Sequence, residues 1–347
     1  MNRRSVLKGA IASATLFHSA GLLAASPQDK GTIIKPRRLE AGMTMGVVAP
    51  AGPSEENERT RFALDIVRSL GFKVKEGQHL YRRTQYLAGT DAERASDLMA
   101  MFTDPEVDAI FCLRGGYGAS RTLPLLDYNA IKTNPKALIG YSDITSLLNA
   151  IFLKTGLVGF HGPIASQSFT EYTLREFQKV VFDGNAPTRI GAAPPFDAGP
   201  GRVEEENRIT VFRGGKARGR LIGGNLTLIS HLIGTPFEPD FKDRILFLED
   251  VHETPYRIDR MLTQLWLAGR LQEVAGIAFG KFTEAESQGN SFSVEEVIAE
   301  RCQDLGVPVI RGLMIGHIED QTTVPVGAMA ELDGDAGMLT LLESAVS

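Results

Sequence analysis

Cysteine and tryptophan are almost missing from this chain: its 347 residues include two cysteines and one tryptophan. Cys112 lies in an apolar run and Cys302 in a helical stretch, so they do not suggest the disulfide framework that staples small secreted domains. Neither cysteine has a metal-ligand spacing, and no H-E-x-x-H or comparable histidine pairing occurs, so no metal is expected. Basic excess is missing too. With a formal net charge of -5 and a pI near 5.8, the chain has no positive stripe for phosphate backbones, which argues against nucleic acid as a partner. There is also no long hydrophobic run, because residues 10–25 are broken by His18 and two serines and fall short of the roughly 20 apolar residues that a spanning helix needs. What remains is ordinary globular composition, 43% apolar and 23% charged. The length exceeds what one core usually supports, so two domains are expected.

The first residues read as an address. Met1 to Lys8 (M-N-R-R-S-V-L-K) places Arg3-Arg4 ahead of a mildly apolar, small-residue stretch, the pattern of a twin-arginine export signal over residues 1–25. Cleavage is expected near Ala24, Ala25 or Ser26. Residues 26–40 then form a leader, and the mature protein is expected outside the cytoplasm, periplasmic or otherwise exported, with no membrane span once the signal is removed.

Beyond the leader, short apolar runs alternate with helical periodicity. Met43 to Pro50, Lys73 to Lys75, Ala109 to Leu113 and Ala137 to Gly140 read as strands, and Ala63 to Leu70, Ala92 to Phe102 and Ile144 to Leu153 as helices. This alternation predicts an α/β domain over residues 41–168, a parallel sheet covered on both faces. Residues 169–215 are rich in Gly, Pro and charge and read as a linker with one helix near Glu171 to Phe182. Residues 216–347 read as a second domain, with strands Ile245 to Leu248 and Val274 to Phe279, helices carrying Ile258 to Leu265 and Val294 to Asp304, and a hairpin at Asp333-Gly334-Asp335.

The densest chemical signal is Leu138-Ile139-Gly140-Tyr141-Ser142-Asp143-Ile144-Thr145. A strand that turns at once into a helix projects Ser142 clear of the sheet, with new helix N–H groups aimed at incoming negative charge. The competing reading is that Ser142 or Asp143 only caps the helix. Arg114-Gly115-Gly116-Tyr117-Gly118 follows the preceding strand and belongs at the same carboxyl edge, where open sheets bind ligands. The N–H groups of Gly116 and Asp143 could there form an oxyanion hole. A phosphate loop fits less well, since neither G-x-x-x-x-G-K-[ST] nor G-x-G-x-x-G is present. A serine nucleophile needs a base, and pattern alone leaves His161, His252 and His317 open; Glu249, at the end of an apolar strand, is a candidate carboxylate.

The motifs C-L-R-G-G-Y-G (112–118), L-I-G-Y-S-D-I-T (138–145), H-G-P (161–163), I-G-G-N-L (222–226), L-E-D-V (248–251), P-Y-R-I-D-R (255–260) and G-H (316–317) occur in one order along nearly all of the mature chain. In this the chain resembles the L,D-carboxypeptidase family of serine peptidases, which includes murein tetrapeptide carboxypeptidases and microcin C self-immunity peptidases. The resemblance implies a Ser142, Glu249, His317 triad and hydrolysis through an acyl-enzyme without a cofactor. It also implies an N-terminal Rossmann-like domain related in shape to glutamine amidotransferases, a smaller β-rich C-terminal α/β domain, and a homodimer. The substrate so implied is a muropeptide or murein tetrapeptide that loses its terminal D-alanine. Well-known peptide-recycling members act in the cytoplasm, whereas the leader here predicts export. Arg114, Asn225 and Arg260 are candidates for substrate contact, each equally readable as a structural partner. Two rivals remain: hydrolysis of nucleotide-type conjugates, which would favour an aromatic platform while Trp266 falls on a predicted core stripe, and a peptidoglycan-binding module with a dead site.

Overall fold

The computed structural model describes residues 32–287 and 289–347. The export-signal reading of residues 1–25 and the first part of the leader therefore lie outside the described residues. In chain order the elements are β1 (Thr44–Val48), α1 (Asn57–Ser69), β2 (Lys73–Glu76), α2 (Asp91–Thr103), β3 (Ala109–Cys112), α3 (Ala119–Thr122), α4 (Tyr128–Thr133), β4 (Ala137–Gly140), α5 (Thr145–Thr155) and β5 (Gly159–His161). There follow α6 (Glu171–Gln178), β6 (Thr188–Ile190), β7 (Thr210–Arg213), β8 (Lys216–Asn225), α7 (Leu226–Leu232), β9 (Arg244–Val251), α8 (Pro255–Leu267) and β10 (Gly276–Thr283). The chain closes with α9 (Val294–Cys302), β11 (Val309–Arg311), β12 (Val324–Val326), β13 (Met329–Asp333) and β14 (Met338–Leu341).

The first sheet runs β2-β1-β3-β4-β5-β12, parallel throughout except for β12. Its strands β3, β4 and β5 are buried at every position, as parallel strands covered on both faces must be. The order places the reversal of winding between β1 and β3, the position where a doubly wound sheet opens a crevice at its carboxyl edge. The loops after these two strands meet there, with Gly52 N–H donating to Gly115 O at 3.1 Å.

The second sheet runs β6-β14-β13-β8-β9-β10-β11-β7. Its centre, β8 to β11, is parallel, and antiparallel strands flank it on both sides. The segment 169–215, compositionally a linker, supplies α6 and both edge strands of this sheet, β6 and β7. Their pairing is set by distant partners, β14 and β11, and so leaves no local periodicity.

One apolar core is continuous from the first sheet to the inner residues of the second, joining for example Phe111, Ile139 and Phe160 with Phe247, Ile315 and Leu332. A smaller core lies against the other helices of the second half, with Leu246, Leu248, Ile258, Leu262 and Ile298. The halves are also tied by polar contacts. The Asn149 carboxamide bonds both backbone groups of Gly223, at 2.8 and 3.1 Å, and Asn225 N–H donates to Thr145 Oγ1 at 3.0 Å. Helix starts follow local chemistry: Thr90 with Glu93 and Ser293 with Glu296 form capping boxes on α2 and α9. Cys112 and Cys302 are buried free thiols in separate cores. Trp266, expected on the buried stripe of α8, is instead 43% exposed, because Ile258, Leu262 and Leu265 already fill that stripe. Among the described residues no helix is long and apolar enough to cross a membrane.

Candidate active site

At the end of β4 the chain makes an abrupt corner. Tyr141 is extended, Ser142 has φ +63°, and a 3-10 turn over Ser142–Ile144 leads directly into α5. A non-glycine residue in the left-handed region costs of order 1–3 kcal/mol and persists only where its surroundings enforce it. Part of that enforcement comes from Gly115, where a Cβ would stand 2.8 Å from Ser142 Cβ and 3.0 Å from its Oγ. Only a glycine lets the preceding loop lie this close to the serine.

The helix-cap alternative does not describe the corner. Neither Ser142 nor Asp143 caps α5 with its side chain. The Asp143 carboxylate instead accepts the Ala119 N–H at 2.6 Å. Burial pushes its pKa up to about 6, against the opposing pull of that hydrogen bond and of Arg94.

Arg94 is a contributor that sequence periodicity overlooked. Its fully buried guanidinium donates to Pro50 O at 2.5 Å and to Gly118 O at 2.7 Å, clamping the loops after β1 and β3 to one another. The available signal was an arginine lying among the apolar positions of α2. Gly116, with φ +107°, packs against Gly52, and its N–H has no acceptor among the described residues.

The other half of the site comes from the second sheet. Glu249 is fully buried near the end of β9. Its Oε2 lies 2.8 Å from His317 Nδ1, and His317 Nε2 lies 3.0 Å from Ser142 Oγ. The three residues therefore form one line, carboxylate to imidazole to hydroxyl, with both separations inside hydrogen-bond range.

Burial by itself would lower the His317 pKa, but the hydrogen bond and charge of Glu249, with Asp250 behind it, outweigh burial and hold it above its ordinary 6.5. Burial raises Glu249 in turn, opposed by His317. The turn carrying the histidine requires Gly316: its φ is +126°, and a Cβ there would lie 3.0 Å from Glu249 Oε2. The Gln321 carboxamide steadies this turn by donating to Gly316 O at 2.8 Å. Asp250 fastens the neighbouring strand by accepting from Asn225 Nδ2, from Thr227 N–H and Oγ1, and from its neighbour Val251 N–H, at 2.8 to 2.9 Å.

Geometry separates the three histidines that pattern could not. His252 follows β9 with its side chain 70% exposed and pairs with Glu284 at 2.9 Å. His161 is fully buried, and burial pushes its pKa down to about 3. It touches Tyr141 and Phe247 edge-on, and Tyr141 also packs on His317 with ring centroids 4.8 Å apart. His317 is the one histidine of the three that meets both a carboxylate and Ser142.

The substrate-contact candidates divide as well. Arg114 lies in the loop beside Ser142 and donates to Pro53 O at 2.9 Å. Asn225 is buried with its amide occupied by Asp250 and by the start of α7, where its Oδ1 accepts from Leu228 N–H. Arg260 is exposed, its guanidinium over the Tyr256 ring at 5.4 Å.

A hydroxyl bonded to an imidazole that is itself oriented by a buried carboxylate can be activated for attack on a carbonyl. Comparison with known proteins agrees with that chemistry. Residues 45–162 match the LD-carboxypeptidase N-terminal domain and residues 218–332 the LD-carboxypeptidase C-terminal domain. The chain is 39% identical to a Bacillus subtilis protein named "Probable murein peptide carboxypeptidase", over 90% of this chain and 95% of that one. Among solved structures, a muramoyltetrapeptide carboxypeptidase from Oxalobacter formigenes superposes with TM-score 0.73 at 31% identity, covering 86% of this chain and 98% of that one. An MccF-like protein from Bacillus anthracis superposes with TM-score 0.79 at 30% identity, covering 89% and 99%. The chain belongs to the LD-carboxypeptidase family and is a serine-type carboxypeptidase.

Proposed function

We propose that this carboxypeptidase releases the terminal D-alanine from peptidoglycan-derived tetrapeptides through an acyl-enzyme on Ser142. The observation that carries the reading is the unbroken relay from Glu249 through His317 to Ser142 Oγ, at 2.8 and 3.0 Å. His317 Nε2 takes the hydroxyl proton as Oγ attacks the carbonyl of the penultimate residue. The N–H groups of Gly116 and Asp143 receive the oxyanion. His317 then returns the proton to the leaving amine, D-alanine departs, and water attacks the ester by the same route. Glu249 holds the imidazole in the productive tautomer and balances its charge. No metal or nucleotide is consumed.

Arg114, beside the nucleophile, is assigned to substrate contact. The engaged amide of Asn225 suits a positioning role instead. Arg260 is exposed and free to meet substrate. The twin-arginine start supports work outside the cytoplasm, where stem peptides of the wall are met directly, and the family resemblance supports a homodimer.

Incubating the purified protein with a murein tetrapeptide, beside Ser142→Ala, tests the reading by mass spectrometry. Loss of one D-alanine with the wild type alone is expected. Cleavage of an aminoacyl-nucleotide conjugate with the tetrapeptide left intact would move the assignment to conjugate hydrolysis, and failure on both substrates would favour a binding module.

A further inference from the structure

Asp143 enters the chemistry above only through its backbone N–H, which leaves a buried carboxylate one residue from the nucleophile without a role. The residue is 2% exposed, and its side chain caps neither its own 3-10 turn nor α5. Burying an ionised group is unfavourable unless it is paired and hydrogen-bonded, so its partners show what the charge does. They lie on another segment. Its Oδ2 accepts the Ala119 N–H at 2.6 Å, shorter than the ~2.9 Å of a neutral N–H···O bond, and the Gly118 N–H adds to it. Gly118 is the N-cap residue of α3 and has no side chain to cap with, so Asp143 supplies the acceptor from 24 positions away.

These bonds fix one end of the loop Arg114-Gly115-Gly116-Tyr117-Gly118. The sheet fixes the other, through Leu113 N–H to Val48 O at 2.7 Å, and Gly52 N–H holds Gly115 O between them. Gly116, with φ +107°, has no side chain to keep its N–H in one direction, so the anchors decide where that N–H points. Asp143 therefore meets both proposed oxyanion donors: its N–H is one, and its carboxylate braces the loop that carries the other. Gly115 closes the gap between them, since a Cβ there would stand 3.3 Å from Asp143 N.

Resting on the acyl-transfer reading above, we infer that Asp143 is also a positioning residue, its carboxylate holding the glycine loop so that the Gly116 and Asp143 N–H groups converge on one oxygen.

Burial pushes this carboxyl up to about 6, opposed by the Ala119 bond, by Arg94 and by the Gly118 bond. Arg94 of α2 is the charged group that faces it and is itself paired with Asp91, to which Arg121 of α3 also turns. On the loop, Arg114 is turned to Pro53 O and Tyr117 to Tyr86. The end of β8 meets α5 with Gly224 and Asn225, which do not ionise, and His317 meets Ser142 and Glu249 instead. The folded value lies above the ordinary 3.8, so the stability that the protonated form contributes is lost as pH rises through about 6. At neutral pH the ionised side chain works against the fold while bracing the loop.

Asp143→Asn keeps the backbone N–H and the side-chain shape and removes the charge. Its kcat for D-alanine release should fall about 10- to 100-fold with KM little changed, while the melting temperature stays level or rises. In the wild type the acid limb of kcat/KM should steepen below about pH 6, where Asp143 takes up a second proton after His317. That second break should vanish in Asp143→Asn. Unchanged kcat, a second break that survives the substitution, or a loss of kcat matched by a lower melting temperature would overturn the role. The wild-type profile also decides alone: a single-proton limb down to about pH 5 would overturn it whatever the variant does. A wild type that cleaves only an aminoacyl sulfamoyl adenosine would displace the tetrapeptide reading, and the same comparison on that substrate then judges Asp143. Cleavage of neither would remove the acyl-transfer reading on which the role rests.

Discussion

The carboxyl edges of the two sheets build their parts of one site by different means. On the first, function is held in the backbone: a left-handed serine, a loop that passes within contact of it, and a buried arginine tying two carbonyls together. On the second it is held in buried charge: a carboxylate with no exposed surface and a histidine whose basicity that carboxylate raises. Backbone geometry is written in short contiguous motifs. A charge relay spanning 68 residues between Glu249 and His317 is not.

Substitutions can break this contrast, beginning with the residue where the two edges meet. Ser142→Ala should lower D-alanine release about 10⁴-fold or more, with thermal melting confirming a folded protein. Residual activity above about one per cent would remove Ser142 from the chemistry.

Glu249→Gln keeps shape and removes charge, so kcat/KM should drop about 10² to 10⁴-fold. It should also leave a pH signature. In the proposed mechanism activity requires neutral His317, so it should rise with pH through the histidine pKa, which Glu249 holds above 6.5. Without that charge the acid limb of the kcat/KM profile should move to lower pH. An unmoved limb would mean that another group titrates there.

A matched pair of glycine changes sharpens the comparison. Gly316→Ala drives a Cβ to 3.0 Å from Glu249 Oε2, and Gly115→Ala drives one to 2.8 Å from Ser142 Cβ. Each is expected to lower kcat about 10 to 100-fold by displacing a reacting group by fractions of an ångström. Only the first should shift the acid limb, since only it disturbs the carboxylate beside the histidine. Identical pH profiles would erase the distinction between the two edges.

At the small end stands His252→Ala. Its exposed pairing with Glu284 lies apart from the relay, so activity should stay within about twofold and stability within about 0.5 kcal/mol by urea denaturation.

The same contrast explains what the sequence disclosed. The strands of the first sheet from β1 to β4, with α1, α2 and α5, could be read from apolar runs and 3.6-residue periodicity, and the Ser142 corner from the absence of any loop between strand and helix. Strand β5, three residues long, showed only as an H-G-P motif. Strands β6, β7, β11 and β12 stayed hidden because each has three or four residues and is specified by a remote partner. The choice among His161, His252 and His317 likewise turned on burial and distance, which no single window contains. Family resemblance pointed to His317, and the geometry brings it against both Ser142 and Glu249.

Strand β12 has a consequence for how the protein is made. It closes the edge of the first sheet beside β5, yet its residues come 163 to 167 positions after those they pair with, from Val324 opposite His161 to Val326 opposite Gly159. A ribosome emits the nucleophile half first, at about 5–20 residues per second, so that half waits roughly ten to thirty seconds with an unpaired edge. During that interval Ser142 has no His317 either. The newborn chain therefore acquires the last strand of its first sheet and the histidine proposed to accept the Ser142 proton within ten residues of each other, so closure of that sheet and assembly of the relay arrive together.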